Sequence, residues 1–211
     1  MSMISLIFDL DGTLIDTAKA TVPACMAGAA RFGLAVLEPA CIRQMIGWAN
    51  PEFYDRLYPD VDPDLRELFA AAVEIDETSL IRLMGPDILF AGISELLAAL
   101  AARGYYMAIA STGSIGHVEA SLAASGIAGY FAEVHCSRPD KEEMVAAIRQ
   151  KDPDATWLLV GDKSKDARAA RANRILSVGA RYGFGSDNEM SQFDQTIETP
   201  LDLLMIVDQF S

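Results

Sequence analysis

Acidic and hydroxyl side chains follow three apolar segments of this sequence, at the point where each segment ends. In chain order these residues are Asp9, Asp11, Ser111, Thr112, Asp162 and Asp166, and Gly113 follows the two hydroxyl residues. If the segments are neighbouring parallel strands, their carboxyl ends meet at one edge of a sheet, where ligands bind in open α/β folds. Several carboxylates gathered there repel one another unless a cation lies between them. Ligand sets made only of oxygen favour Mg²⁺ over zinc, so the sequence predicts a Mg²⁺ site.

Each of these motifs taken alone has a simpler structural interpretation. The string from Asp9 to Thr13 could be an ordinary turn, and Asp166 could cap a helix that begins near Ser164. Ser111 to Gly113 is weaker still as an isolated signal. The functional prediction therefore depends on the order of the three motifs and on their placement directly after apolar runs.

The apolar runs that position these residues alternate with helical patterns over most of the chain. Strands are predicted at 4–8, 105–110, 131–135, 156–160 and 175–178. Helices are predicted at 92–102, 115–124, 141–150, 165–173 and 200–209. Such alternation specifies an α/β fold, a Rossmann-like doubly wound parallel sheet with helices on both faces.

One block interrupts the alternation between the first and second predicted strands. Its helices are predicted at 17–32, 39–46, 51–58 and 63–83, and Gly85-Pro86 ends the pattern. We therefore expect two units, a core formed by 1–16 with 85–211 and an inserted all-helical domain at 17–84.

Composition narrows the class of protein further. The sequence has 51% apolar and 22% charged residues, which is typical of a folded globular chain. Its net charge of −13 repels nucleic acid. The segment from Met1 to Phe8 has neither a basic region nor the length of a membrane span, and the three cysteines lack close pairing. We expect a cytoplasmic protein that binds neither nucleic acid nor membranes.

With these residues placed, the sequence resembles the haloacid dehalogenase-like hydrolase superfamily. The resemblance rests on the segment Phe8 to Thr17, which reads FDLDGTLIDT, on Ser111, on Asp162 with Asp166, and on the turn from Val178 to Gly185. It points to the phosphoglycolate phosphatase and β-phosphoglucomutase branch, in which a small helical cap of the C1 type is inserted after the first strand.

The resemblance implies roles for the acidic residues. Asp9 would be the nucleophile that forms an aspartyl-phosphate, and Asp11 would be the general acid and base. Mg²⁺ would be bound by Asp9, by the backbone carbonyl of Asp11, and by Asp162 and Asp166. Donation of a proton by Asp11 requires a pKa above the free value, and we expect the neighbouring carboxylates to raise it.

The resemblance also implies a phosphoryl-binding set. Ser111 would hold the phosphoryl group, with Gly12, Thr112 and Gly113 as further substrate-binding positions. A cation is needed as well, and two residues compete for this role: Lys141 is favoured over Arg138, which stands before Pro139. Lys163 departs from the family pattern, which has serine or threonine after the aspartate.

The cap is expected to contact the rest of the substrate. Arg43 is predicted to bind substrate from a turn between cap helices, whereas Trp48 is predicted to be cap core. His117 lies near the Ser111 loop but lacks metal-ligand spacing. The expected function is Mg²⁺-dependent hydrolysis of a small phosphorylated metabolite by a monomer or homodimer. A phosphomutase of the β-phosphoglucomutase type, or a non-catalytic module that binds a phosphoryl ligand, remains as an alternative.

Overall fold

A parallel β-sheet lies at the centre of the computed structural model, which describes residues 4–138 and 140–210. The structure does not describe Met1 to Met3, Pro139 and Ser211. Part of the predicted N-terminal segment and the proline after Arg138 therefore lie outside the described residues. The described strands are β1 Ile4–Phe8, β2 Tyr106–Ala110, β3 Glu133–His135, β4 Thr156–Gly161, β5 Leu176–Ala180 and β6 Gln195–Ile197. They form one sheet in the order β3-β2-β1-β4-β5-β6, with every neighbouring pair parallel. The predicted α/β fold is confirmed.

The central strand β1 is buried along its whole length. Leu6 and Phe8 belong to the apolar cluster on one face of the sheet, and Ile7 belongs to the cluster on the other. This alternation explains the continuous apolar run in the sequence, because a parallel strand covered on both faces needs no polar side. Phe8 lies opposite Ile109 in β2 and Val160 in β4, so the residues after these three strands emerge side by side.

Helices cover both faces of the sheet and form the insertion after β1. They are α1 Ala18–Phe32, α2 Pro39–Met45, α3 Glu52–Leu57, α4 Pro63–Met84, α5 Ile93–Ala102, α6 Ile115–Ser125, α7 Glu142–Arg149, α8 Ser164–Ala172, α9 Asp187–Met190 and α10 Leu203–Val207. None of the described helices is long and apolar enough to cross a membrane.

The inserted helices α1 to α4 share an apolar cluster of their own. Phe69 of α4 lies at its centre, and the rings of Phe32, Tyr54 and Tyr58 approach it edge-on at centroid distances of 6.0, 5.7 and 5.2 Å. Phe184, which follows β5, joins the same cluster and connects it to the sheet. The division of the chain at residues 16 and 85 remains a prediction.

Two described elements were not predicted, the edge strand β6 and the short helix α9. Strand β6 has three residues, Gln195, Thr196 and Ile197, of which only Ile197 is buried. Such a segment has no apolar run, so the sequence pattern does not reveal it.

Candidate active site

The carboxyl ends of β1, β2 and β4 bring the predicted acidic residues together. Asp9 directly follows β1, Asp162 directly follows β4, and Asp166 lies in the first turn of α8. All three side chains are buried, and one oxygen atom from each lies within 4.8 Å of the others. The side chain of Asp11 is not part of this group within the described residues, and metal binding by its backbone carbonyl remains a prediction.

A buried lysine is inserted between these carboxylates. Lys141 immediately precedes α7, and its Nζ lies 2.6 Å from Oδ1 of Asp9 and 2.5 Å from Oδ1 of Asp166. Burial by itself would lower the pKa of Lys141, but its attraction to Asp166 and Asp9 outweighs that effect and raises the pKa, so the ammonium stays charged. Arg138, the competing cation, is exposed and pairs with Glu143. The structure therefore places Lys141, and not Arg138, at the acidic cluster.

Burial and mutual repulsion raise the pKa of two of the carboxylates, Asp9 and Asp162. Burial raises the pKa of Asp9 well above its usual value, Lys141 opposes the rise, and Asp166 and Asp162 add to it. Burial, with a contribution from Asp166, raises the pKa of Asp162 to about 7. The single positive charge of Lys141 therefore does not offset the repulsion among the carboxylates of the cluster.

Asp162 retains a free ligand atom. Its Oδ2 accepts a hydrogen bond from the backbone N–H of Phe184 at 2.7 Å, whereas its Oδ1 is buried and has no hydrogen-bond partner within 4–138 and 140–210. Both oxygens of Asp166 are engaged, Oδ1 by Lys141 and Oδ2 by the backbone N–H of Lys163. An unpaired buried carboxylate oxygen is costly, and a divalent cation would satisfy it.

Gly12 allows the first motif to approach Asp162 closely. It has φ +85°, and a Cβ atom built at this position would lie 2.3 Å from Oδ2 of Asp162. Any side chain would therefore displace the carboxylate, in addition to straining the backbone. Gly12 therefore shapes the acidic site from its backbone. Its predicted binding of substrate remains a prediction.

The loop after β2 presents small polar groups next to the aspartates. Ser111 is buried, and its Oγ accepts a hydrogen bond from the backbone N–H of Gly113 at 3.0 Å. Thr112 donates a long hydrogen bond of 3.4 Å to the carbonyl of Gly47 in the helical insertion. Thr112 and Gly113 both line the cavity beside Asp11. Their binding of a phosphoryl group remains a prediction.

Asp11 has partners that the sequence did not reveal. Its Oδ1 accepts hydrogen bonds from Oγ1 of Thr17 and from Nε2 of His117, the latter at 2.8 Å. Burial would raise the pKa of Asp11, but attraction to His117 and the two hydrogen bonds outweigh burial, and the pKa lies below its usual value. The expectation of a raised pKa is therefore wrong, because the attraction of His117, which the sequence did not reveal, acts on Asp11 together with two hydrogen bonds.

A cavity of about 550 Å³ opens from Asp11 toward the inserted helices. Its wall combines aromatic residues of the insertion with the acidic residues Glu74 and Glu77 of α4, and Asn50 donates a hydrogen bond to Glu74. Glu77 accepts a hydrogen bond from Thr21, and its Oε2 lies 3.8 Å from Nδ1 of His117. Burial raises the pKa of Glu77, although His117 and Thr21 oppose the rise.

Several predicted residues lie elsewhere. Arg43 belongs to α2, is exposed, and stacks over the Phe184 ring at 5.7 Å, and it is not among the described residues that line the cavity. Its predicted contact with substrate therefore has no structural support. Lys163 donates to the carbonyl of Phe184 at 2.9 Å.

Trp48 packs against the cluster of the insertion, as predicted, but it also lines the cavity. The guanidinium of Arg56 lies over its ring at 3.7 Å from the centroid, and the ammonium of Lys165 lies over it at 4.3 Å. Lys165 therefore connects α8 to the insertion.

Comparison with known proteins agrees with this fold. Residues 6–180 match the family model described as haloacid dehalogenase-like hydrolase, and the chain belongs to this family. The chain is 28% identical to a phosphoglycolate phosphatase of Synechococcus elongatus, over 98% of each protein. It is 27% identical to an N-acetylmuramic acid 6-phosphate phosphatase of Pseudomonas putida, over 99% of this chain and 97% of that protein.

Solved structures with low sequence identity share the fold. A predicted phosphoglycolate phosphatase from Haemophilus somnus superposes with a TM-score of 0.84 at 20% identity, covering 98% of this chain and 99% of the other. A β-phosphoglucomutase from Clostridium difficile superposes with a TM-score of 0.78 at 18% identity, covering 98% of this chain and 96% of the other. The resemblance noted in the sequence is thereby confirmed.

Proposed function

We propose that this protein is a Mg²⁺-dependent phosphomonoester hydrolase that acts on a small phosphorylated metabolite through an aspartyl-phosphate on Asp9. The observation that carries the proposal is the contact of the buried Lys141 ammonium with Asp9 and Asp166, next to the free oxygen of Asp162. Folding alone does not require four buried charged groups at one point, since burying them is costly. A site that binds and transfers a phosphoryl group does.

The donor set fits Mg²⁺. Oδ1 of Asp162 lacks a partner among the described residues, the nearby side chain of Asp9 offers a second carboxylate, and the ligand atoms are oxygens throughout. When bound, Mg²⁺ would neutralise the attacking carboxylate and the phosphoryl oxygens together. Asp166 would act mainly by orienting Lys141, since both of its oxygens already accept hydrogen bonds.

The residues divide a difficult hydrolysis into two steps. In the first, a carboxylate oxygen of Asp9 attacks phosphorus, the bond to the leaving oxygen breaks, and Asp11 gives that oxygen a proton. Lys141 opposes the negative charge that builds up on the phosphoryl group. In the second step, Asp11 takes a proton from the water that attacks phosphorus and releases Asp9. Entry of an anionic phosphate beside Asp11 would raise its pKa and so supply the protonated form for the first step.

The relatives and the cavity support the proposed substrate class. The two curated relatives are named for phosphoglycolate and for N-acetylmuramic acid 6-phosphate, which share a phosphate ester on a small organic molecule. A cavity of about 550 Å³ beside Asp11 has room for a leaving group of that size.

The test is a phosphate-release screen over phosphoglycolate, sugar phosphates, amino-sugar phosphates and nucleotides, with Mg²⁺ and with excess chelator. We expect release with Mg²⁺, none with chelator, and none from Asp9→Asn. Asp60→Asn is the matched control, because Asp60 is exposed and lies outside the site. Full activity in chelator, or activity of a folded Asp9→Asn protein equal to that of the control, would contradict the proposal.

A further inference from the structure

The role of His117 goes beyond what the motifs assign. His117 lies in the first turn of α6, and its side chain is only 14% exposed. One ring nitrogen, Nε2, contacts Oδ1 of Asp11 at 2.8 Å, and the other, Nδ1, faces Oε2 of Glu77 at 3.8 Å. The imidazole thus lies between the proposed acid and base and the wall of the substrate cavity.

The local sequence fixes the ring in this place. Ser114 caps α6 and accepts a hydrogen bond from the backbone N–H of His117 at 3.3 Å. A Cβ atom on Gly113 would lie 3.0 Å from Cδ2 of His117, so the absence of a side chain there lets the ring pass toward Asp11. The same loop that presents Ser111 therefore also orients His117.

The hydrogen bonds to Asp11 are asymmetric. Thr17, at the start of α1, and His117, on α6, both donate to Oδ1. The described residues provide no donor to Oδ2. Two donors from separate elements restrict rotation of the carboxyl group, while the second oxygen stays available to exchange a proton.

We propose that His117 is a positioning residue, which holds Oδ1 of Asp11 so that Oδ2 can protonate the leaving oxygen. This inference rests on the proposed function. A positioned general acid typically accelerates its step by about 10² to 10⁴-fold, and part of that gain is lost when the acid can rotate. The positioning requires a hydrogen-bond donor at the place of Nε2, which a neutral side chain can also supply.

A purely structural role for His117 has a different consequence. If His117 only joins α4 to α6, its loss lowers activity equally for every substrate. If it positions Asp11, the loss is large for a leaving group that needs a proton and small for one that leaves readily as an anion. The pKa of phenol is about 10, like that of the tyrosine side chain, and p-nitrophenol is a much stronger acid. Phenyl phosphate and p-nitrophenyl phosphate therefore provide the test with nearly the same shape.

Three substitutions separate the possibilities. The amide nitrogen of Gln can reach the position of Nε2 and donate to Asp11, whereas the shorter Asn matches Nδ1. We expect His117→Ala and His117→Asn to lower kcat for phenyl phosphate at least about tenfold more than kcat for p-nitrophenyl phosphate, and His117→Gln to restore most of the difference. Circular dichroism and the midpoint of thermal unfolding establish which variants are folded. If His117→Ala is not, the Gln and Asn pair decides the question.

Equal losses on both esters, higher activity on phenyl phosphate, or identical behaviour of the Gln and Asn variants would overturn the inference. Asp11→Asn serves as the reference and should show the largest dependence on the leaving group. If Asp11→Asn shows no such dependence, the assignment of Asp11 as general acid fails, and the inference fails with it. If Asp11→Asn shows the dependence on the leaving group and the His117 variants do not, the proposed function stands and His117 is structural.

Discussion

Removal of the Lys141 ammonium should affect catalysis more than removal of any exposed cation. The Nζ atom contacts two carboxylates, at 2.6 Å and 2.5 Å, and the side chain is 4% exposed. Breaking a buried ion pair from one side costs about 3 to 5 kcal/mol. A charge aimed at the transition state is worth about 3 kcal/mol, which corresponds to roughly a hundredfold in rate.

Arg138 provides the contrasting case within the same segment. Its guanidinium side chain is 60% exposed and pairs with Glu143, which is 80% exposed. Pairs of this kind contribute about 0 to 1 kcal/mol. We therefore expect Lys141→Ala to lower kcat by at least about a hundredfold and Arg138→Ala to lower it by less than about tenfold.

The assay is steady-state phosphate release at saturating Mg²⁺ and substrate, using variants shown to be folded by circular dichroism. The reverse ranking would mean that Arg138 supplies the cation during turnover and that the contacts of Lys141 are structural. Small and equal effects of the two substitutions would refute the reasoning and turn attention to Lys163.

Three further predictions concern the metal, pH and the cavity. Asp162→Asn should bind Mg²⁺ at least about tenfold more weakly by calorimetry, since mutation even of a residue that only supports the metal ligands lowers metal affinity about 10- to 100-fold. Unchanged affinity would contradict the assignment of Asp162 as a ligand. Burial raises the pKa of Asp162 from 3.8 to about 7, so between pH 3.8 and about pH 7 its carboxyl group is protonated in the folded state and ionised in the unfolded state. In chelator, the contribution of Asp162 to the free energy of unfolding should therefore be greatest below pH 4 and should decline as pH rises to 7; urea unfolding of wild type against Asp162→Asn measures it, and a difference independent of pH would refute it. Glu77→Gln removes a carboxylate from the cavity wall, and we expect it to raise kcat/KM for phosphoglycolate relative to glycerol phosphate about fivefold, because about 1 kcal/mol of repulsion is relieved. Glu67→Gln, at an exposed position on the same helix, is the control. Equal effects of the two substitutions would count against this prediction.

The sequence predicts the centre of the sheet better than its edges. Strands β1, β2 and β4 are mostly apolar because helices cover both of their faces, so each appears as an apolar segment that stops where the site begins. Strand β6 lies at an edge and pairs only with β5 among the described strands. The strand conformation of β6 depends on its pairing with β5, and three residues are too few to show a pattern in the sequence.

The acidic cluster could be predicted for the same reason, because strand ends that are neighbours in the sheet collect their following residues. The contact between Asp11 and His117 could not be predicted. These residues are 106 positions apart, and a single histidine has no periodicity that reveals its direction. The position of its ring depends on the close approach at Gly113 and on the cap at Ser114, which only the folded loop shows. That contact contributes the largest of the effects that lower the pKa of Asp11.

The central claim is that the phosphoryl group passes through the carboxylate of Asp9. The most direct measurement is a rapid acid quench of the enzyme during turnover of a labelled phosphate ester found in the release screen, followed by peptide mass spectrometry. We expect label bound to the peptide that contains Asp9, lost on treatment with base and absent from Asp9→Asn. Label on another residue, or turnover in which Asp9→Asn releases phosphate as fast as Asp60→Asn, would contradict it.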